Sequence, residues 1–383
     1  MNQYYLNLFV RFTCKILLRS KALWVCALLT FCCVNLFQIY FQSNFIPDAS
    51  PIGFTAELRN YAFPELMPYM SVYLFSVLQT IILLFFSVAF LHNGLKKGSM
   101  DVIFYRPESN VEYIWGTILG FILIFGGMGL MCLLGGGLVH LLWSESPFVI
   151  EYYFFYYFTL FLPGLLSWLG ISFSVTFLTK ERGISVMFLL ILYFFITFYT
   201  TRFQGGIFDI LGIGLPNVFS QATGHSCLKL YLLQRGCWLL LGIGLLQGSV
   251  MLFGRIPNNP LKTRMRMITC FLGGSGCLLG VIFFQAYRDA NFKCQVYSET
   301  YAKFEPLSRA TVLTHDITFQ RNKNRIKATS AIMLQNQRKE TLHEVIFYLN
   351  PALEIESMKW NDEEINVERE YQVIRVKKTN TAG

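Results

Sequence analysis

The stretch LMPYMSVYLFSVLQTIILLFFSVAFLHNG, residues 66–94, holds no Asp, Glu, Lys or Arg. It exceeds the roughly 20 apolar residues that an α-helix needs to cross bilayer hydrocarbon. Six further stretches are equally free of charge: Ala22 to Pro47, Tyr113 to Ser144, Tyr152 to Thr179, Gly183 to Thr201, Gly236 to Gly254 and Met267 to Tyr287. Only 14% of the 383 residues are charged, against about a quarter in soluble globules, and mean hydropathy is +0.45. These runs predict an α-helical polytopic membrane bundle of about seven transmembrane helices, at about 22–41, 69–91, 114–142, 153–178, 184–201, 236–254 and 268–287. The first is too long for a signal-peptide core and no small-residue cleavage site follows it, so it is expected to remain as an anchor.

Lys and Arg resist translocation, and they alternate between loops. One set of loops carries Arg11, Lys15, Arg19, Lys21, Lys96, Lys97, Arg106, Lys180, Arg182, Arg255, Lys262, Arg264 and Arg266. The other carries Arg59, Arg202, Lys229 and Arg235. The first set is therefore expected on the cytoplasmic side with the N-terminus, and residues 288–383 outside. The net charge of +9 follows from this topology, and no base-reading module accompanies it, so no nucleic-acid partner is expected.

Before the first span, Arg11, Lys15 and Arg19 stand at i, i+4 and i+8. That places three cations on one face of an amphipathic interfacial helix over residues 1–21. After the last span the composition changes. VLTHDITF, RIKATSAIML, LHEVIFYL, LEIESMKW and YQVIRV are β-prone runs separated by polar turns. They predict a small antiparallel β domain over 312–383, with 288–311 as linker.

Motifs are informative mostly by what they lack. There is no G-x-x-x-x-G-K-[ST], so the chain has no phosphate-cradling loop of its own. HEVIF, His343 to Phe347, lacks a second His at i+4 and reads as a strand, so no metal site or catalytic residue is assigned. The predicted spans contain no ionisable carboxylate or base. His92 and His140 near span ends read as interfacial, and Gln79, Gln247 and Asn35 as bonds between neighbouring helices more than as cavity lining. The G-x-x-x-G pairs Gly116/Gly120, Gly244/Gly248 and Gly276/Gly280 read as close helix packing. Tyr152 to Phe158 reads as an aromatic belt, and Pro163 as a kink. Most cysteines read as small packing residues; a disulfide between Cys227 and Cys294 is left open by spacing alone.

Between the second and third spans, LKKGSMDVIFYRPESNVEYIWG, residues 95–116, is charged and turn-rich. Pro107 ends one element, and SNVE, Ser109 to Glu112, has capping-box spacing at the start of the next. Met100, Ile103 and Phe104 at i, i+3 and i+4 make an apolar stripe beside Lys97, Asp101 and Arg106. The residues alone suit a membrane-surface helix and a partner-docking helix equally.

KKGSMDVIFYRPESNVEYIWG resembles the corresponding stretch of permease subunits of type 2 ABC exporters, in the subgroup fused to an aminopeptidase-N-like zinc metallopeptidase region. The likeness continues in RMRMITCFLGGSGCLLGVIFFQAYRDAN, YSETYAKFEPLSRATVLTHDITFQ and NQRKETLHEVIFYLNPALEIESMKWNDEEI, and covers most of residues 60–376. It implies a cytoplasmic ABC ATPase partner contacted through Lys97, Met100, Asp101, Ile103, Phe104 and Arg106, with ATP on that partner and no cofactor in this chain. It further implies a second permease half, another copy of itself in the first instance, an elbow role for residues 1–21, and a bacterial inner-membrane location. The H-E-x-x-H helix of the fused peptidases is not in this sequence, so peptidase activity is not carried over. Two rival readings stand beside this one: a membrane-anchored interaction protein that uses its outer β domain, and the N-terminal fragment of a membrane-tethered zinc aminopeptidase.

Overall fold

The computed structural model describes residues 2–42, 66–95, 110–144, 147–200, 203–214, 219–220, 224–225, 227–253, 261–305, 310–322, 325–336, 344–361 and 363–377. Its chain contacts divide into two units, Met1–Tyr287 and Arg288–Gly383.

The apolar runs fold as helices: α1 Gln3–Arg19, α2 Lys21–Gln42, α3 Leu66–Leu95, α4 Asn110–Trp143, α5 Ile150–Tyr156, α6 Leu162–Thr179, α7 Arg182–Phe195 and α8 Leu228–Leu252 in the first unit, and α9 Leu261–Phe304, whose last residues belong to the second. Seven stretches are long and apolar enough to cross a membrane, α5 and α6 forming one of them. The chain is a multi-pass α-helical membrane protein with a small C-terminal β region.

The α5–α6 span is joined by a π-helical turn, Tyr157–Phe161. Pro163 lies in the first turn of α6. A proline has no N–H and its ring collides with the carbonyl four residues back. The wider π turn just before it lets the span continue through that defect.

Helix α1 begins at an N-cap, Asn2, whose side chain accepts the N–H of Tyr4. It buries Phe9, Thr13 and Leu17, while Arg11, Lys15 and Arg19 stay exposed on the other side. The buried side is seated on α4, where a Cβ added at Gly116 would collide with that of Phe9, and one at Gly120 would lie 2.6 Å from the Cβ of Thr13. Equal four-residue steps on both helices mean that they run alongside each other in the same sense. The Trp24 indole donates to the Leu18 carbonyl at 2.8 Å across the joint between α1 and α2.

The tightest crossing is α6 on α8. A Cβ at Gly242 would lie 2.7 Å from the Ser167 backbone nitrogen, one at Gly170 would lie 2.9 Å from the Gly242 carbonyl oxygen, and Ser167 donates to the Trp238 carbonyl at 2.8 Å. Backbones meet here because lipid supplies no hydrophobic drive between helices, leaving close packing and hydrogen bonds to hold them. Gly242→Ala must push backbone against backbone, at a cost of about 1–3 kcal/mol. Gly127→Ala, where nothing lies within 4 Å of the added Cβ, should gain about 0.5–1 kcal/mol from helix propensity. Melting temperatures of the two variants in one detergent should therefore move in opposite directions.

The aromatic run Tyr152 to Phe158 is more than a belt. Tyr153, Tyr156 and Tyr157 are buried, leaving Phe154 and Phe158 on the outside. Tyr153 meets His140 Nδ1 at 2.8 Å, and Tyr157 donates to the Gly126 carbonyl at 2.9 Å. His140, in the last turn of α4, is thus 1% exposed and packed inside the bundle.

In the second unit, residues 288–304, expected as linker, are the end of α9. Phe304 forms a small core with Ile346 and Val373. These come from β5 (Glu344–Tyr348) and β9 (Val373–Lys377), which with β8 (Glu368–Glu370) make an antiparallel sheet in the order β5-β9-β8. Tyr301 packs on Tyr348, Tyr297 on Tyr371, and Lys303 pairs with Glu370 at 2.9 Å. HEVIF is accordingly a strand over Glu344–Tyr348, with His343 outside the described residues. A long hairpin, β3 (Thr311–Asn322) on β4 (Arg325–Gln335), has a bulge at Val312/Thr314. Lys359–Trp360 pairs with Glu363–Glu364 as a minimal hairpin. Among the described residues there is no disulfide.

Candidate functional site

Two polar features lie inside the membrane unit. On α3, Ser71, Ser76, Gln79, Thr80 and Ser87 are all buried. Each serine or threonine hydroxyl returns its proton to a carbonyl of its own helix three or four residues back, the usual way to carry a hydroxyl in an apolar medium. Gln79 donates to the Phe125 carbonyl of α4 at 2.8 Å and also lines a cavity of about 10 Å³, with Ser76, Thr80, Leu83, Phe161, Leu165 and Leu211. It therefore serves both as a helix–helix bond and as cavity lining. Gln247 accepts the Trp115 indole N–H at 2.9 Å, tying α8 to α4, whereas Asn35 donates to Phe31 within its own helix and fills the notch at Gly135. A second cavity of similar size lies between Ser71, Cys132 and Tyr157, on the other side of Phe161.

The second feature corrects the expectation that the spans carry no charge. Helix α8 begins eight residues before the predicted sixth span and takes in Arg235, which is 2% exposed. The neighbouring face of α8 supplies donors to the loop 203–214. Gln234 Nε2 reaches the carbonyls of Gly206 (2.9 Å) and Asp209 (2.8 Å), Arg235 Nη2 that of Ile210 (2.6 Å), and Trp238 Nε1 that of Ile207 (2.8 Å). Buried loop carbonyls require partners, and one side of α8 satisfies four of them.

Asp209, also 2% exposed, closes the loop from within. Its Oδ1 accepts the Gly212 N–H at 2.8 Å and its Oδ2 the Gly214 N–H at 2.6 Å. Burial pushes its carboxyl pKa up, opposed by these N–H groups and by the Arg235 charge. Gly212 has φ +73°, and a Cβ there would strike Arg235 Nη1. Arg235 Nε and Nη1 have no hydrogen-bond partner. The two charges make no direct ion pair: the carboxylate is spent on the loop's own N–H groups and the guanidinium on the Ile210 carbonyl, and each acts on the other only through space. Arg235 lies in a helix apolar enough to cross a membrane, where an ionisable group is costly enough to mark a functional hypothesis.

Sequence reasoning placed Arg235 in a loop because a cation ends a charge-free run. The available signal was D-x-x-G, Asp209 to Gly212, between apolar residues, which is an Asx-turn pattern. Of the residues expected to contact an ATPase, Lys97, Met100, Asp101, Ile103, Phe104 and Arg106 lie outside the described residues, as does Ser109. Glu112 is described, and its carboxylate accepts the Asn2 N–H of α1 at 2.5 Å. It thus ties two helices together, a contact that the local capping box does not foresee.

No family model matches the sequence, and no curated protein matches it.

Proposed function

We propose that this chain is the permease subunit of an ABC exporter, with its energy supplied by a separate cytoplasmic ATPase and its bundle paired with a second permease half, in the first instance another copy. In this reading it is not itself an enzyme. It binds no cofactor, ATP is bound and hydrolysed on the partner, and the chain resides in a bacterial inner membrane with its N-terminus cytoplasmic. The type 2 subgroup with a peptidase-like outer region is the relative that its sequence resembles.

The observation that carries the reading is the seat of α1 on the first three turns of α4. Residues 96–109 lead directly into α4, so a displacement applied to them acts on a helix already clamped to α1. An ATPase docked on Met100, Ile103 and Phe104 would have a rigid lever to move.

The test is co-purification of an ATPase encoded beside this chain. Changing Met100, Ile103 and Phe104 together to Asp should abolish the complex while the chain alone still elutes in detergent as the wild type does. Retention of the ATPase by the triple variant would sink coupling through this segment.

One observation favours the anchored interaction protein instead. On the β3–β4 hairpin, Ile317, Phe319 and Ile332 lie on one face and all are exposed. If Ile317→Asp/Phe319→Asp abolishes capture of an outer partner while the ATPase complex is never found, that reading prevails.

A further inference from the structure

Ser76, Gln79 and Thr80 stand at i, i+3 and i+4 on α3, so they share one face of the helix, and all three line the first cavity. What that face can offer a guest follows from where its protons go. Ser76 donates to the Val72 carbonyl at 2.6 Å and Thr80 to the Ser76 carbonyl at 2.7 Å. A hydroxyl has one proton, so each keeps only lone pairs for the cavity. Gln79 is 1% exposed and its Nε2 donates to the Phe125 carbonyl. Only the nitrogen of an amide can meet a carbonyl in this way, which fixes the orientation of the group. Its oxygen, Oε1, is then a buried acceptor to which no group of the protein donates.

What this face lacks is a donor, and a buried amide oxygen without one is costly. The rest of the lining is apolar, with Phe161 of the π turn and Leu211 of the loop 203–214 among it, so no donor comes from there. A guest must therefore bring its own protons, and a cavity of about 10 Å³ admits a single molecule of water's size. A bare cation would also suit three oxygens, but it would carry a net charge into a lining that holds no carboxylate, and neutral oxygens alone do not offset that cost. The second cavity differs in one respect. Its hydrogen-bonding side chains are already served: Ser71 donates to the Met67 carbonyl and Tyr157 to the Gly126 carbonyl, and among the described residues neither keeps a buried polar atom without a partner.

We propose that the first cavity is a binding site for one water molecule, which donates one proton to Gln79 Oε1 and the other to the hydroxyl oxygens of Ser76 and Thr80, and that the second cavity is dry. The water then fixes the free end of the Gln79 amide, whose other end is held by α4. Leu211 closes the site, so the loop that α8 holds in place is also its stopper. The site follows from the packing of the bundle and is independent of the transporter reading.

The experiment is a crystallographic density map of the full chain at a resolution that shows ordered water, from crystals grown in sodium buffer and from crystals grown with choline as the sole monovalent cation. One peak should stand about 2.5–3.0 Å from Gln79 Oε1, in both buffers, with none in the second cavity. Choline is too large for the site, so loss of the peak in choline would assign the cavity to a small cation and overturn the proposal. In Ser76→Ala/Thr80→Val the peak should be lost while the bond from Gln79 to the Phe125 carbonyl persists. A wild-type map with no peak in the first cavity, a peak in both cavities, or a peak that the double variant retains would each overturn it as well. The two wild-type maps decide the matter even where the double variant fails to fold.

Discussion

Arg235→Met should destabilise the membrane unit by about 1–3 kcal/mol, the cost of leaving a buried polar group without its partner. Methionine fills much of the guanidinium's volume, so little of this loss would come from a cavity. The loss has two parts. The Ile210 carbonyl is stranded without its 2.6 Å donor, and the Asp209 carboxylate loses the one cation that opposes its burial. The loop 203–214 should then open, which limited proteolysis would detect as cleavage absent from the wild type.

The same variant has a defined pH dependence. Burial holds the Asp209 pKa above its ordinary carboxylate value. A group raised in the folded state contributes stability that is fully present below its unfolded pKa and is lost as pH rises through the folded one. Removing Arg235 raises the folded pKa further and extends that window upward. The deficit of Arg235→Met should therefore shrink as pH is lowered towards the carboxylate range. Adding Asp209→Asn should remove both the pH dependence and part of the deficit, because the buried charge whose desolvation is no longer offset is then gone. Melting curves of the two variants across pH decide the matter. A flat pH profile for Arg235→Met would show that Asp209 does not depend on it.

Why the sequence conceals this site is physical. A charge-free run locates hydrocarbon, and the seven runs do locate seven helices, but the rule treats any cation as a boundary. Arg235 violates it because its guanidinium bonds a carbonyl some 25 residues earlier in the chain, with the Asp209 charge acting on it through space. Periodicity within α8 carries no trace of a loop folded back onto it. The glycine pairs present a milder case. Their spacing announces close packing, yet only coordinates assign Gly116 and Gly120 to α1 and Gly276 to Leu241 of α8. The aromatic run at 152–158 is a third case. Composition suggests a belt, whereas Tyr153, Tyr156 and Tyr157 also turn inward, where His140 meets the hydroxyl of Tyr153 and the Gly126 carbonyl accepts that of Tyr157. Glu112 likewise has the spacing of a local cap, and its carboxylate bonds a backbone N–H 110 residues away.

Gly116→Leu with Gly120→Val should unseat α1. A Cβ alone at Gly116 collides with Phe9 and approaches the Leu6 carbonyl to 3.2 Å, and at Gly120 it comes within 2.8 Å of a second Thr13 carbon. The full side chains cannot be accommodated by rotation, because the obstructing atoms sit at or next to the α1 backbone. Two overpacked contacts at about 1–3 kcal/mol each exceed what this short helix can absorb. Moreover, Phe9 and Leu17 gain little from staying on α4 when lipid is equally apolar. Cys14, half-buried with its Sγ 3.8 Å from the Gly120 carbonyl, is a native reporter. Its alkylation, read by mass spectrometry, should accelerate at least about tenfold, the factor that 1.4 kcal/mol represents, with Cys132 on the far part of α4 unchanged. Unaltered Cys14 reactivity would mean that α1 does not depend on these notches. The variant also separates clamping from docking. If the chain is the ABC permease proposed above, an ATPase should still co-purify with α1 released, but its hydrolysis should no longer respond to the membrane subunit.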